Sequence, residues 1–137
     1  MPAVKRKTKR MTKTFTGAVV LSMALAGFAG TTSAQTPLKD VAFVCEGIIA
    51  TGMAFEISEN CSSLSPRRIR GINYLFSLRK HAFGLGYTGA QVDAYVDDKA
   101  EENRLKQIAY GRLFDLGAVS GDGVSYCMVG RAEMAKG

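Results

Sequence analysis

Apolar residues recur at three- and four-residue steps through most of the chain after residue 40, which is the spacing of one face of an α-helix. The first such segment spans 41–58 and follows Pro37 and Asp40, which indicate a helix start. Gly47 and Gly52 interrupt its apolar stripe, and because glycine lacks a side chain we expect them to admit a closely packed neighbouring helix. The stripe itself consists of Val41, Val44, Cys45, Ile48, Ile49, Met53 and Phe55.

A second helix is predicted to begin at Ser65 and Pro66. Serine can cap the free amide groups of a first turn, and proline at the first helical position loses no hydrogen bond. Gly84 and Gly86 predict where this helix ends, because glycine adopts the left-handed terminating conformation without steric cost. Its predicted buried face consists of Ile69, Ile72, Leu75, Phe76 and Phe83.

Two further helices are predicted by capping patterns. Thr88 and Gln91 have the spacing of a capping box, and they precede the apolar residues Val92, Tyr95 and Val96. Asp97-Asp98 with Glu101 predicts the start of a fourth helix in the same way. Its apolar side consists of Leu105, Ile108, Ala109, Leu113 and Leu116, and Gly117 is its predicted terminator.

The chain then passes through a predicted loop over 118–124, and Ser125 precedes a short closing helix. That helix carries Tyr126, Cys127, Val129 and Met134. No segment shows the sustained alternation of a β-strand, and no internal repeat is visible. We therefore predict an all-α orthogonal bundle of about four to five helices.

The first 34 residues have the order of a secretory signal peptide. Six basic residues between Lys5 and Lys13 precede an apolar run over 15–30, and small residues follow up to Ala34. Cleavage after Ala34 would leave 35–137 as one domain. A retained membrane anchor is the alternative, but a spanning helix needs about 20 apolar residues and this run is shorter. We expect no membrane span after cleavage.

The distribution of charge along the chain limits the classes of partner that we expect. The full chain has 18 basic and 12 acidic residues and a net charge of +6. The six basic residues of the leader account for this excess, so the segment 35–137 is neutral. Without a basic excess there is no steering toward phosphates, and we expect no nucleic-acid partner.

Three cysteines in an exported protein suggest one disulfide and one remaining thiol. If 41–58 is a single helix, Cys45 and Cys61 lie up to ~24 Å apart, which is too far for a disulfide. Cys127 would then bond either Cys61 or Cys45. An unpaired Cys45 on the apolar stripe is expected to be a buried thiol that behaves as a small apolar side chain.

No sequence pattern predicts a catalytic site, a metal site or a cofactor site. His81 is the single histidine and falls on the polar side of the second helix, and no Cys-x-x-Cys pair is present, so neither a zinc site nor a redox centre is expected. The glycine-rich segment 84–89 matches a dinucleotide fingerprint, but a predicted helix precedes it instead of a strand. We interpret it as a turn between helices.

The acidic residues near the third and fourth helices are interpreted as helix caps. They lack the alternating Asp-x-Asp-x-Asp-Gly loop that calcium coordination requires, and several lie where helix amino ends favour negative charge. The group consists of Asp93, Asp97, Asp98, Glu101 and Glu102. We expect no metal and no cofactor.

Two arginines have an unusual helical phase. Arg79 falls on the apolar face of the second helix, and Arg112 falls on that of the fourth. One interpretation is that their aliphatic stems lie along the edge of the core with the charge in water. The alternative is a buried ion pair with a carboxylate, for which the candidates are Glu56, Glu101 and Glu133.

Three segments resemble a small family of exported proteins from α-proteobacteria that is catalogued only as a domain of unknown function. They are ATGMAFEISENC over 50–61, the run from Arg67 through Gly86-Tyr87-Thr88 to Val96, and SYCMVGRAE over 125–133. The resemblance implies an exported helical domain and no activity. It also matches Cys61 and Cys127 to the recurring cysteine pair of that family, which favours a disulfide between them. Cys45 is an addition to that pair, and relatives continue for several residues beyond 137.

By elimination, we predict a non-catalytic binding or structural module of the periplasm or cell envelope, with an exported protein or an envelope component as its partner. One alternative is a small enzyme or ligand carrier whose site is built from scattered residues, with Tyr74, His81 and the arginines as its available chemistry. Another is a periplasmic chaperone of the acid-stress type.

Overall fold

Five α-helices account for most of the structure, a computed structural model that describes residues 34–137. A single 3-10 turn over Leu38–Asp40 precedes the first helix. The helices are α1 (Ala42–Asn60), α2 (Arg68–Gly84), α3 (Gly89–Asp97), α4 (Lys99–Asp115) and α5 (Gly123–Ala135). No strand occurs within 34–137, so the all-α prediction is confirmed. The basic and apolar parts of the predicted signal peptide lie outside the described residues.

Helix α1 lies at the centre of the fold and packs against α2, α4 and α5. Two glycines of α1 face neighbouring helices: Gly47 faces α2, and Gly52 faces α4. A Cβ atom on Gly47 would lie 2.6 Å from both methyl carbons of Leu78 in α2, and one on Gly52 would lie 3.9 Å from the Cβ of Ala109 in α4. The predicted close helix approach is therefore confirmed at Gly47, whereas the distance at Gly52 is that of an ordinary van der Waals contact.

The core is divided into three clusters along α1. One lies at the disulfide end, one lies where the 3-10 turn meets α2 and α3, and a small one lies between α1 and α4. The buried residues of the cluster at the disulfide end are Ile57, Cys61, Leu113, Ala118, Tyr126 and Val129. Those of the cluster near the 3-10 turn are Leu38, Val44, Ala82, Tyr87 and Val92. Those of the cluster between α1 and α4 are Ile49, Leu105 and Ala109.

A disulfide joins the end of α1 to α5. It links Cys61 and Cys127, whose Cα atoms are 5.1 Å apart, and Cys45 is a buried free thiol. The prediction of one disulfide in the fold is therefore confirmed. Beside it, Gly130 leaves room for Leu64, since a Cβ atom there would lie 2.5 Å from a Leu64 methyl carbon. The disulfide and this contact hold α5 against α1.

Several predicted helix ends are confirmed. Thr88 and Gln91 form a reciprocal capping box, and the Asp98 carboxylate accepts hydrogen bonds from two amide groups in the first turn of α4. Gly86 and Gly117 have φ of 89° and 101°, in the left-handed region that favours glycine. Glu101 does not complete a capping box, because its carboxylate binds Arg104 instead.

Two predicted helix starts are wrong. Helix α2 begins at Arg68 instead of at Ser65-Pro66, and the irregular segment before it places Leu64 against Gly130 of α5. Helix α5 begins at Gly123, since Asp122 accepts a hydrogen bond from the Val124 amide at 3.0 Å and is the cap. Ser125 is buried within α5, where its hydroxyl accepts a hydrogen bond from the amide of Val119 at 2.8 Å.

The predicted buried face of α2 is also wrong. The helix packs on α1 through Leu78 and Ala82, which are 3% and 1% exposed. Because Gly47 admits Leu78, α2 packs on α1 through this side, and its broader apolar stripe is left largely uncovered. The large side chains left exposed on that stripe are Ile69, Ile72, Leu75, Phe76 and Phe83.

Candidate functional site

The outward apolar stripe of α2 borders a groove between the first four helices. Its cavity volume is about 410 Å³, and its walls are mainly apolar, although Arg79, Glu101 and Glu102 also line it. Phe76 of α2 is 63% exposed, Val96 of α3 is 61% exposed, and both line this groove. We call this cavity the four-helix groove; its apolar lining includes Ile48, Ile72, Leu75, Phe76, Val96 and Leu105.

A second groove lies between α1 and the first half of α2, with a cavity volume of about 930 Å³. Its floor is apolar and its rim is basic, and Ile72 and Leu75 line both this groove and the four-helix groove. We call it the arginine groove. The floor and wall include Ala50, Ala54, Phe55 and Tyr74, and the rim carries Arg67, Arg68 and Arg70.

Arg79 and Arg112 form ion pairs that are not buried. Arg79 binds Asp93 at 2.8 Å, and its guanidinium lies 5.2 Å from the centre of the Phe83 ring. Arg112 binds both carboxylate oxygens of Glu46, at 2.6 and 2.9 Å. About two-fifths of each arginine side chain is exposed, so the alternative of a buried ion pair is wrong in its burial.

The predicted partners Glu56, Glu101 and Glu133 are also wrong for these two arginines. Glu56 accepts a hydrogen bond from the Tyr110 hydroxyl at 3.1 Å, Glu101 binds Arg104, and Glu133 binds Lys136. Helical phase identified the two arginines as unusual but could not identify partners, because Asp93 and Glu46 approach from other helices.

A buried polar cluster lies between the 3-10 turn, α1, α3 and α4. The Cys45 thiol donates to the Lys39 carbonyl at 2.8 Å and lies 3.4 Å from the hydroxyl of Tyr95. That hydroxyl donates to the Glu101 carboxylate at 3.3 Å, and Glu101 is 7% exposed. Arg104 completes the cluster with two hydrogen bonds to Glu101, at 2.8 and 2.5 Å.

The electrostatics of this cluster favour the charged form of Glu101 and the neutral form of Tyr95. Hydrogen bonds from Arg104 lower the pKa of Glu101, although burial opposes the shift. Burial, followed by the neighbouring Cys45 and Glu101, raises the pKa of Tyr95. The thiol contacts a carbonyl and a hydroxyl, neither of which is a base that would activate it. The predicted burial of Cys45 is confirmed, but its surroundings are partly polar.

Replacing Glu101 with glutamine should reduce the loss of stability in acid. The folded pKa of Glu101 lies below its usual value of 4.5, so its contribution is present above that pH and lost as the pH falls through the folded pKa. Urea unfolding of the wild type at a series of pH values from about 6 to about 3 should show this loss. Arg104→Gln, which removes the largest cause of the shift, should weaken the pH dependence as well. Equal slopes in all three proteins would contradict the assignment.

Of the residues proposed for an alternative enzyme site, the structure brings Tyr74 together with Arg67, Arg68 and Arg70 in the arginine groove but leaves His81 apart. Tyr74 lines the arginine groove, whereas exposed His81 lies against Phe43, with ring centres 4.5 Å apart. The glycine-rich segment 84–89 connects α2 to α3, as predicted.

Within residues 34–137, no three histidine, cysteine or acidic side chains are grouped so that they could hold a metal ion. None of the helices described combines the length and apolar character needed to cross a bilayer.

Sequence reasoning missed the exposed side of α2 as a candidate site. One signal was available: the predicted apolar face of α2 together with Leu78 and Ala82 extends over about 180° when projected at 100° per residue, wider than the stripe of roughly 100° typical of a helix packed on one neighbour. A second signal was the absence of any acidic residue between Glu59 and Asp93, which leaves the arginines of α2 without a local partner.

Comparison with known proteins gives a family and no activity. No curated protein and no solved structure matches the chain. A match to a family of unknown function covers residues 36–137, which is most of the chain and includes all five helices. The chain therefore belongs to the family of unknown function DUF5333.

Proposed function

We propose that this protein is an exported, non-catalytic binding module of the periplasm or cell envelope. Export is supported by the order of charged, apolar and small residues over 1–34 and by a disulfide, which is typical of oxidising compartments. The binding role is supported by the face of α2.

The observation that carries the binding role is the exposure of large apolar side chains on one continuous surface. Ile69 is 76% exposed, and Ile72 is 52% exposed beside a concave cavity. Proteins of this size seldom leave such a surface uncovered unless a partner binds there. The four-helix groove also has the size and apolar lining typical of binding sites.

An enzyme is the weaker interpretation of the same surface. The four-helix groove is mainly apolar, His81 does not line the arginine groove with Tyr74, and the Cys45 thiol contacts no base that would activate it. An acid-stress chaperone would need apolar surface that opens at low pH, whereas this surface is already exposed in the folded structure. Dye binding by the folded protein at neutral pH would therefore favour the binding module.

Site-specific photo-crosslinking in the native host should test the binding role. With Phe76 replaced by benzoylphenylalanine, we expect one crosslinked partner, and we expect Ile72→Gln to reduce its yield. The matched control places the same group at Gln107, which is exposed on α4 and lines neither groove. Equal crosslinking from both positions would contradict the proposal.

Export is tested on the same material. The recovered protein should begin at Gln35 by intact-mass analysis and should carry the disulfide. A protein that retains residues 1–34 would contradict the export part of the proposal and leave the binding part to the crosslinking result.

A further inference from the structure

We infer that the arginine groove binds an acidic amphipathic helix of a partner protein. This inference rests on the proposed binding role and names the partner chemistry for one part of that surface. Its basis is the combination of an apolar floor, a rim of three arginines, and walls formed by two helices.

The arginines of the rim differ from the other arginines of residues 34–137. Arg79, Arg104 and Arg112 each bind a carboxylate, and Arg131 donates to the Ser63 hydroxyl. The rim arginines, by contrast, form no ion pair within the described part of the chain, and all three are exposed; they are Arg67, Arg68 and Arg70.

The position of these charges favours an anionic partner. They lie at the amino end of α2, which has no acidic residue in its first turn and no side-chain cap. Positive charge at this end of a helix is unfavourable, so a carboxylate bound there would offset both the mutual repulsion of the arginines and the helix dipole. Glu59 and Gly137 also line this groove, but Glu59 forms no ion pair with the arginines.

The shape of the groove favours a helix over an extended peptide. Ala50, Ala54 and Ser58 are spaced by four residues on α1, so they share one face and form a floor of small side chains. Helices pack with axes about 8–10 Å apart, and a floor of small residues permits the closer distances. A bound helix would place its apolar face on this floor.

The groove also continues toward α5, which provides a second wall. Ala54, Ser58, Arg67 and Arg70 line both the arginine groove and an adjoining cavity of about 390 Å³. Gly130, Glu133 and Met134 of α5 form the far side of that cavity. Since α2 and α5 both pack on α1, a helix lying between them would have helical neighbours on three sides, as an added member of a bundle does.

The test uses two synthetic amphipathic helices of about 18 residues, long enough to be helical when bound. They share one leucine- and alanine-rich face; one has glutamate along both edges of that face and the other has lysine. We expect fluorescence anisotropy to show the glutamate helix binding the folded protein at least about tenfold more tightly than the lysine helix, with the difference decreasing as salt increases. Equal binding of the two helices would overturn the inference.

Substitutions in the arginine groove test whether the glutamate helix binds there. Arg67→Gln/Arg68→Gln/Arg70→Gln should weaken binding of the glutamate helix about tenfold, because three exposed charge contacts are lost. The control Lys80→Gln/Lys99→Gln/Lys106→Gln removes the same charge away from the groove and should leave binding within about twofold. Ala54→Gln fills the floor at an exposed position and should also weaken binding. Circular dichroism confirms that each variant is folded.

The remaining outcomes separate this inference from the proposed function. Binding to phosphatidylglycerol vesicles through the three arginines, without binding to the glutamate helix, would overturn the inference in favour of a lipid surface. If Phe76 crosslinks a partner in cells while the triple arginine variant binds the glutamate helix as the wild type does, the binding role stands and this inference fails. If the glutamate helix binds through the arginines while Phe76 crosslinks nothing, the arginine groove is supported and the role proposed for the exposed face fails.

Discussion

Replacing Cys61 and Cys127 together with alanine should lower the free energy of unfolding by about 4 kcal/mol. The two residues are separated by 66 positions, so the disulfide closes a loop that includes α2, α3 and α4. Removing the bond restores the conformational freedom of that loop in the unfolded state. Urea denaturation of the variant and the wild type would measure the difference.

The control for this experiment is the wild type itself after reduction. Because the loss arises mainly in the unfolded state, the reduced wild type and the double variant should have similar unfolding midpoints. A double variant as stable as the oxidised wild type would show that the loop is already constrained by its own contacts and would contradict the entropic explanation. The result matters for this protein because domains of about 100 residues have net stabilities of only about 5–15 kcal/mol.

Replacing Leu113 with alanine should lower the free energy of unfolding by about 3 kcal/mol. Leu113 is 1% exposed and lies in the cluster that contains Cys61, Tyr126 and Val129. The truncation removes buried apolar contacts and leaves a cavity that the disulfide-linked helices cannot readily close. Urea denaturation of the oxidised protein would measure the loss.

Leu116 provides a matched control from the same predicted face of α4. It follows the last helical residue and is 42% exposed. Leu116→Ala should therefore cost less than about 1 kcal/mol, since an exposed leucine loses little on truncation. Similar losses for the two variants would contradict the burial that separates them in the structure.

The sequence was informative wherever a short motif has one structural solution. Thr88 and Gln91 form the capping box that their spacing predicts, and Gly117 ends α4 in the left-handed conformation. These features depend on interactions within a few residues, so neighbouring residues contain most of the information that determines them. Gly47 also predicted a close helix approach, but the residue that fills the space, Leu78 of α2, could not be predicted from the neighbouring sequence.

Prediction failed where one local pattern allowed several solutions. Ser65-Pro66 and Ser125 can each start a helix, but the contact of Leu64 with α5 and the Asp122 cap shift the two starts. Arg79 and Arg112 were recognised as unusual, but their partners come from α3 and α1. Helical phase assigns a residue to a face of its own helix and contains no information about which residue faces it.

The sequence by itself determined that residues 34–137 are all-α, where α3 begins and where α4 ends. Only the tertiary structure decided which side of α2 is buried. The physical reason is that Gly47 accepts Leu78 at close range, which leaves the stripe of Ile69, Ile72 and Phe76 largely uncovered. Hydrophobic periodicity shows which face of a helix is apolar. Whether that face is buried also depends on how closely a neighbouring helix can approach it. The distance between two helix axes is set by the side chains of both helices.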